Sequence, residues 1–198
     1  MDATRFLLLD INGLLCCKLS KDETPDETLE LLELKAYKVI MRPGAREFLE
    51  FCYKNFTVGF FSSTTYPNAN AILEKLLTSE QKSATAFRWY RDRTHLDPNY
   101  GKDSSTTQYD TIKKLSDVFD SPTINADRKY HTGNTILCDD STTKTRFNNP
   151  RNVLMFEPFK GDASDKVLLG MMESLEKKFE ELNSVDEITN ALSHLDVL

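Results

Sequence analysis

The chain has 198 residues, of which 39% are hydrophobic and 28% charged, with a formal net charge of −6. This composition suits one globular domain and excludes a disordered or collagen-like chain. The acidic balance argues against binding to nucleic acid, because such proteins carry a large basic surface. No run approaches the ~18 apolar residues of a membrane span, and the start lacks the basic head of a signal peptide. We therefore expect a soluble, intracellular protein, cytoplasmic or nuclear, with no membrane contact.

Four cysteines lack the CxxC spacing of a zinc site: Cys16, Cys17, Cys52 and Cys138. They flank apolar segments, so we interpret them as buried, reduced thiols.

Predicted strands and helices alternate along the chain. Short apolar runs predict strands over 6–9, 39–41, 57–61, 135–138 and 153–156. Amphipathic spacing predicts helices over 45–54, from Pro67 onward, over 103–119, and twice within 163–195. Such alternation is typical of an α/β fold: a Rossmann-like, mostly parallel sheet with helices on both faces.

We predict a single domain over 1–198 with two insertions and a helical end. The acidic segment 18–38 is expected to form a flap-like insertion. The polar and aromatic segment 79–101 shows no clear period, which indicates a small rim insertion of irregular structure or short antiparallel strands. The residues 163–195 are expected to form the C-terminal helices.

Polar residues follow three predicted strands, and a lysine stands at the start of a predicted helix. They are Asp10 after the first strand, Ser62 and Ser63 after 57–61, Asp139 and Asp140 after 135–138, and Lys102 before 103–119. Ligands bind at the carboxyl ends of parallel strands, so these groups could share one site. Separately, a serine there can cap a helix, an Asp-Asp pair can form a turn, and Lys102 can equally be a surface lysine. An aspartate that ends a buried strand, however, is costly without a partner.

The segments FLLLDINGLL, FFSS, GKD and ILCDDS, in this order, resemble the four motifs of the haloacid dehalogenase (HAD) superfamily of phosphohydrolases. IMRPGAREFLEF and NYGKD are most similar to its branch of small phosphatases of the RNA polymerase C-terminal domain and TFIIF-associating phosphatases. The resemblance covers residues 5–159 and leaves the C-terminal helices unspecified. It implies a HAD fold with a small cap or none.

The resemblance implies a magnesium-dependent protein phosphatase. Asp10 would be the nucleophile that forms an aspartyl-phosphate, Ser62 and Ser63 would bind the phosphoryl oxygens, and Lys102 would neutralise charge on both. Clustered carboxylates repel one another unless a cation neutralises them, and Mg²⁺ prefers oxygen ligands. Asp10, residue Asn12 through its carbonyl, and Asp139 or Asp140 would hold this ion.

The chain departs from the resemblance at Asn12, where the family has the aspartate that acts as general acid and base. An amide cannot exchange a proton at neutral pH, and general acid–base catalysis is typically worth 10²–10⁴-fold. The chain could be an active phosphatase that compensates, a catalytically impaired pseudo-phosphatase that binds phosphorylated partners, or a form with an inactivating substitution. We favour retained activity, strongest on aryl phosphates such as phosphotyrosine, because a phenolate leaves with little protonation.

Other functions fit less well. A cysteine-dependent phosphatase would need an arginine where Lys144 follows Cys138, and no GxxxxGK[ST] nucleotide-binding loop occurs. A dehalogenase would not need the Asp-Asp pair, and a non-enzymatic binding module stays open. The short insertions indicate an open site that takes a phosphorylated protein or peptide. A possible substrate-facing rim, for which packing is an equal alternative, comprises Phe87, Trp89, Tyr90, Arg91 and Arg93.

Overall fold

The computed structural model describes residues 5–100, 102 and 110–195, with 185–195 as backbone only. Its strands are β1 (Phe6–Leu9), β2 (Cys16–Leu19), β3 (Leu31–Glu33), β4 (Lys38–Met41), β5 (Thr57–Phe61), β6 (Arg88–Trp89), β7 (His95–Leu96), β8 (Thr111–Ile112), β9 (Thr135–Asp139) and β10 (Val153–Met155). Its α-helices are α1 (Ala45–Asn55), α2 (Tyr66–Leu76), α3 (Ser79–Ala84), α4 (Leu115–Phe119), α5 (Thr142–Thr145) and α6 (Val167–Leu195).

The central sheet has five parallel strands in the order β10-β9-β1-β5-β6. Strand β1 lies in the middle, where Phe6 is in register with Thr57 of β5 and with Thr135 of β9. The three strands therefore end at one edge of the sheet. This register brings the polar residues that follow them into one place.

Helices cover both faces of this sheet. Alternate side chains of β1 point to opposite sides: Leu7 and Leu9 pack in the core formed with α1, α2 and α6, while Phe6 and Leu8 pack in a second core that includes α4. All four side chains are fully buried, as expected for a strand of a parallel sheet. The predicted α/β class, with a mostly parallel sheet and helices on both faces, is confirmed.

Two small antiparallel sheets stand beside the main one. Strands β2, β4 and β3 form the first and take up the segment predicted as a flap-like insertion. Strands β7 and β8 form the second, in which His95 is in register with Ile112. The segment predicted as a rim contains β7, as expected, but it also contains the helix α3 and the parallel edge strand β6.

The helix predicted over 103–119 is only partly correct: residues 103–109 lie outside the described residues, and of the rest only Leu115–Phe119 is helical. Residues Thr111–Ile112 form a strand, and a helix begins only at Leu115. Thr111, Ile112 and Lys113 are all buried, which an extended segment packed on both sides permits and a one-sided surface helix does not. The backbone NH of Lys113 donates to the carbonyl of Lys144 (2.8 Å), which holds the segment extended.

The C-terminal part forms one helix rather than two. α6 runs without a break from Val167 to Leu195, and neither glycine nor proline lies between 171 and 195 to interrupt it. None of the described helices is both long and apolar enough to cross a lipid bilayer.

Candidate active site

Asp10 lies immediately after β1 and is 1% exposed. Its backbone NH donates to the carbonyl of Cys138 (3.0 Å), which fixes it against the end of β9. Its Oδ1 accepts a hydrogen bond from the NH of Ile11 (2.7 Å). Although burial raises the pKa of Asp10, the positive charges of Lys113 and Lys144 help to hold it below the ordinary value. Asp10 is therefore an ionised carboxylate at neutral pH.

Gly13 makes the turn that follows Asp10. Its φ is +91°, a conformation that side chains disfavour, and a Cβ at this position would overlap the carboxylate of Asp140. Glycine is thus required both by the backbone and by the close approach of the Asp140 side chain.

Lys113 is buried between two carboxylates. Its Nζ lies 3.0 Å from Oδ1 of Asp10 and 2.5 Å from Oδ2 of Asp139, and none of its side chain is exposed. Burial lowers the pKa of Lys113, but the two carboxylates outweigh it and raise this pKa above the ordinary value. The ammonium therefore stays charged and balances the negative charge of Asp10.

Lys102 does not occupy this position. It lies exposed in a turn, where its backbone NH donates to the carbonyl of Asn99 (2.9 Å). Lys113 was missed because helical spacing placed it on a predicted surface helix. The sequence gives only a weak signal for it, the pair Lys113-Lys114 between Ile112 and Leu115.

Three carboxylates converge beside Lys113. Asp10, Asp139 and Asp140 each offer an oxygen within 4.8 Å of the others. Burial, together with the charges of Asp10 and Asp139, raises the pKa of Asp140 to about 6. Among the described residues, Oδ1 of Asp140 and Oδ1 of Asn12 are both buried without a hydrogen-bond partner. Unpartnered buried oxygens beside repelling carboxylates suit a hard divalent cation such as Mg²⁺.

Asp139 has partners that Asp140 lacks. Its Oδ2 pairs with Lys113, and its Oδ1 accepts from the NH of Ser141 (2.8 Å). Of the two aspartates predicted as metal ligands, Asp140 therefore has the greater capacity to bind an ion.

The two serines after β5 face the same site. Ser62 is fully buried, its NH donates to the carbonyl of Trp89 (2.9 Å), and its hydroxyl oxygen accepts from the NH of Thr64 (3.3 Å). The hydroxyl of Thr111 donates to Oγ of Ser63 (2.7 Å) and ties this loop to β8. Both serines thus lie beside Asp10, whereas Lys102 is not among the residues that line this cleft.

Asp10, Ser62 and Ser63 line a cleft of about 150 Å³ that is open to solvent. Its walls are Asp10, Asn12, Lys18, Ser62, Ser63, Thr64, Arg91, Asp110 and Lys144. The cleft has room for a phosphoryl group next to the carboxylate of Asp10, with hydroxyl and cationic groups around it.

The aromatic residues of the expected rim pack inside the protein. Phe87, Trp89 and Tyr90 are each at least 91% buried, and Phe87 and Trp89 belong to the second core. Arg91 lines the cleft, and its Nε donates to the carbonyl of Ser63 (3.0 Å). Of the two alternatives for this segment, packing applies to the aromatic residues. All four cysteines are buried and free of disulfides.

Solved structures share this fold. The fission yeast RNA polymerase II C-terminal-domain phosphatase Fcp1, bound to beryllium fluoride, aligns with a TM-score of 0.51 and 13% identity over 97% of this chain and 56% of its own. A second Fcp1 structure gives a TM-score of 0.52 and 14% identity over 96% and 54% of the two chains. An uncharacterized Listeria monocytogenes protein gives 0.50 and 15% over 89% and 99%. At these identities the likeness concerns the fold alone.

The family follows from the sequence comparison. Residues 5–186 match the NLI interacting factor-like phosphatases, and the chain belongs to this family. An uncharacterized FCP1 homology domain-containing protein of Schizosaccharomyces pombe is 30% identical over 146 residues, which are 72% of this chain and 57% of that protein. The chain thus spans little more than half of this relative and of Fcp1.

Proposed function

We propose that this protein is a magnesium-dependent phosphoprotein phosphatase that acts through an aspartyl-phosphate on Asp10. The observation that carries the proposal is the position of Asp10: an ionised, buried carboxylate at the end of β1, paired with Lys113 and within 4.8 Å of the oxygens of Asp139 and Asp140. Membership of the NLI interacting factor-like phosphatases supports it.

Asp10 acts as the nucleophile. One of its carboxylate oxygens forms a bond to phosphorus while the bond from phosphorus to the leaving oxygen breaks, and the leaving group departs with that electron pair. Water then attacks the aspartyl-phosphate, which releases inorganic phosphate and restores Asp10. Ser62 and Ser63 donate hydrogen bonds to the phosphoryl oxygens. Lys113, in the role that the resemblance assigned to Lys102, keeps Asp10 ionised and oriented.

A divalent cation fits beside Asp10. Asp10, the backbone carbonyl of Asn12 and Asp140 would hold Mg²⁺, with Asp139 supporting the site through Lys113. The ion supplies positive charge that offsets the negative charge of the phosphoryl group.

Asn12 determines which leaving groups depart readily. Its amide lies in the cleft wall but cannot protonate an alkoxide or deprotonate a water. A phenolate has a conjugate-acid pKa of about 10 and departs without this help, whereas a serine alkoxide does not. The site therefore favours phosphotyrosine and other aryl phosphates.

The open cleft favours a phosphorylated protein or peptide as the substrate, since no large cap covers it in the described residues. A soluble location in the cytoplasm or nucleus is part of the same proposal.

Hydrolysis of p-nitrophenyl phosphate with and without Mg²⁺ tests the proposal. We expect magnesium-dependent turnover that EDTA abolishes and that Asp10→Asn eliminates, while Lys102→Gln serves as the matched control and retains it. Binding of a phosphopeptide without turnover would contradict the proposal and indicate a pseudo-phosphatase instead.

A further inference from the structure

Two lysines at the cleft have no assigned contact with the substrate in the proposed chemistry, although the charge of Lys144 also helps to lower the pKa of Asp10. Lys18 lies on β2 of the small antiparallel sheet, and Lys144 lies in α5, just after the Asp-Asp pair. Neither ammonium makes an ion pair or a hydrogen bond within the described part of the chain. The Nζ of Lys18 instead lies 4.9 Å from the centre of the Tyr37 ring. They differ in this respect from Lys113, which two carboxylates satisfy.

The two lysines act on each other through their charges. Burial lowers the pKa of Lys18, and the positive charges of Lys144 and Arg91 oppose protonation further. Three cationic side chains, Lys18, Arg91 and Lys144, thus line the cleft together with two carboxylates, Asp10 and Asp110. Because Asp10 is already paired with Lys113, an anion that enters the cleft would reduce the repulsion between Lys18 and Lys144.

The phosphoryl group that reacts already has its own partners. It is expected to bind Ser62, Ser63 and the cation beside Asp10, all at the carboxyl ends of the parallel strands. Lys113 is already paired with Asp10 and Asp139. The cleft of about 150 Å³ has room for one such group and the start of its side chain. Lys18 and Lys144, which belong to two separate elements, are therefore available to bind a second group of the substrate next to the phosphoryl group.

We propose that Lys18 and Lys144 bind a second anionic group of the substrate. The preferred substrate is then a phosphopeptide that carries a carboxylate or another phosphate within one or two residues of the phosphorylated side chain, a reach of about 3.3 Å per residue in extended peptide. This inference rests on the proposed function and names its substrate class.

Matched phosphotyrosine peptides test it. In one peptide the two residues on each side of the phosphotyrosine are Gln, and in the other they are Glu, so that only charge differs. We expect the wild-type protein to have a kcat/KM roughly tenfold higher for the Glu peptide, an advantage that shrinks as salt screens the charges. Lys18→Gln and Lys144→Gln should each reduce this ratio to about two or three. Lys35→Gln is the matched control, because Lys35 is exposed in the loop between β3 and β4, and this variant should keep the wild-type ratio.

Two results would overturn the inference: a wild-type ratio of one, or an unchanged ratio in both variants. If the lysines bind only the phosphate that is transferred, the rates on the two peptides fall by the same factor and the ratio stays constant. Failure of the proposed function would give a different result, because the wild-type protein would then hydrolyse neither of the two peptides nor p-nitrophenyl phosphate. Fluorescence anisotropy would still decide the inference in that case: tighter binding of the Glu peptide that both variants lose supports it, and equal binding overturns it.

Discussion

The Nζ of Lys113 lies 3.0 Å from Oδ1 of Asp10, with both side chains almost wholly buried. An ion pair in such a place depends on both partners, because removal of one leaves the other charged and unsolvated. Lys113 therefore links the stability of the fold to the charge state of the proposed nucleophile.

Replacement of Lys113 by methionine should cost both stability and activity. We expect the free energy of unfolding to fall by about 3–5 kcal/mol, as is typical when a buried ion pair loses one partner. Turnover of p-nitrophenyl phosphate should fall by at least about 10²-fold, since removal of one electrostatic group from an active site commonly has this effect. Urea unfolding and steady-state kinetics measure the two effects.

Lys102→Gln is the control for this variant. Because Lys102 is exposed, the change should alter the unfolding free energy by no more than about 0.5 kcal/mol. Equal effects of the two substitutions would show that Lys113 has no special role.

Much of the fold could be predicted because local sequence and tertiary structure agree there. The apolar run 6–9 ends at Asp10, and the structure places β1 over Phe6–Leu9 in the middle of the sheet. The helix predicted over 45–54 corresponds to Ala45–Asn55. Both elements owe their form to periodic apolar residues that face a core on the predicted side.

The position of Lys113 could not be predicted in the same way. Ile112, Leu115 and Phe119 have helical spacing, but the pairing of Thr111 and Ile112 with β7 is a contact with a distant part of the chain. Tertiary pairing therefore overrode local periodicity. The same limit applies to Lys18 and Lys144, because only the fold brings β2 and α5 to one cleft.

Gly13→Ala should destabilise the protein and weaken Mg²⁺ binding. Alanine is strained at a φ of +91°, and its Cβ would displace the carboxylate of Asp140. We expect a loss of about 1–3 kcal/mol in the free energy of unfolding, with a higher Kd for Mg²⁺ by isothermal titration calorimetry.

Gly170→Ala provides the contrast. Gly170 is exposed in α6, and a Cβ there would meet no atom within 4 Å. Because alanine favours helix, this change should stabilise the protein by about 0.5–1 kcal/mol. A destabilisation as large as that of Gly13→Ala would contradict the account of Gly13.

Binding of Mg²⁺ should weaken as the pH falls below about 6. Burial and the neighbouring carboxylates raise the pKa of Asp140 to about 6, so in acid the cation must displace a proton. The affinity should drop by about tenfold for each pH unit below that pKa, before the other carboxylates titrate. Calorimetric titrations with Mg²⁺ at several pH values from about 5 to about 8 measure this dependence. Asp140→Asn should weaken Mg²⁺ binding at every pH and make the affinity depend less on pH. If this variant kept the wild-type pH dependence, the proton that Mg²⁺ displaces would belong to a residue other than Asp140.

Asn12→Asp should increase turnover of phosphoserine peptides more than that of phosphotyrosine peptides. The new carboxyl group can protonate the serine alkoxide, an effect worth up to about 10²–10⁴-fold, whereas the phenolate needs less help. Initial rates of phosphate release from a matched peptide pair provide the comparison. Equal gains on both peptides, or wild-type turnover of phosphoserine that already exceeds that of phosphotyrosine, would show that Asn12 does not set the preference.

The central claim is that a covalent bond forms between Asp10 and phosphorus. Acid quenching during turnover of p-nitrophenyl phosphate with Mg²⁺, followed by peptide mass spectrometry, tests it most directly. We predict one added phosphoryl group on the peptide that contains Asp10, accumulating because Asn12 cannot activate the water that removes it, and none in Asp10→Asn. Sustained turnover with the label on another residue, or turnover that survives Asp10→Asn, would contradict the account.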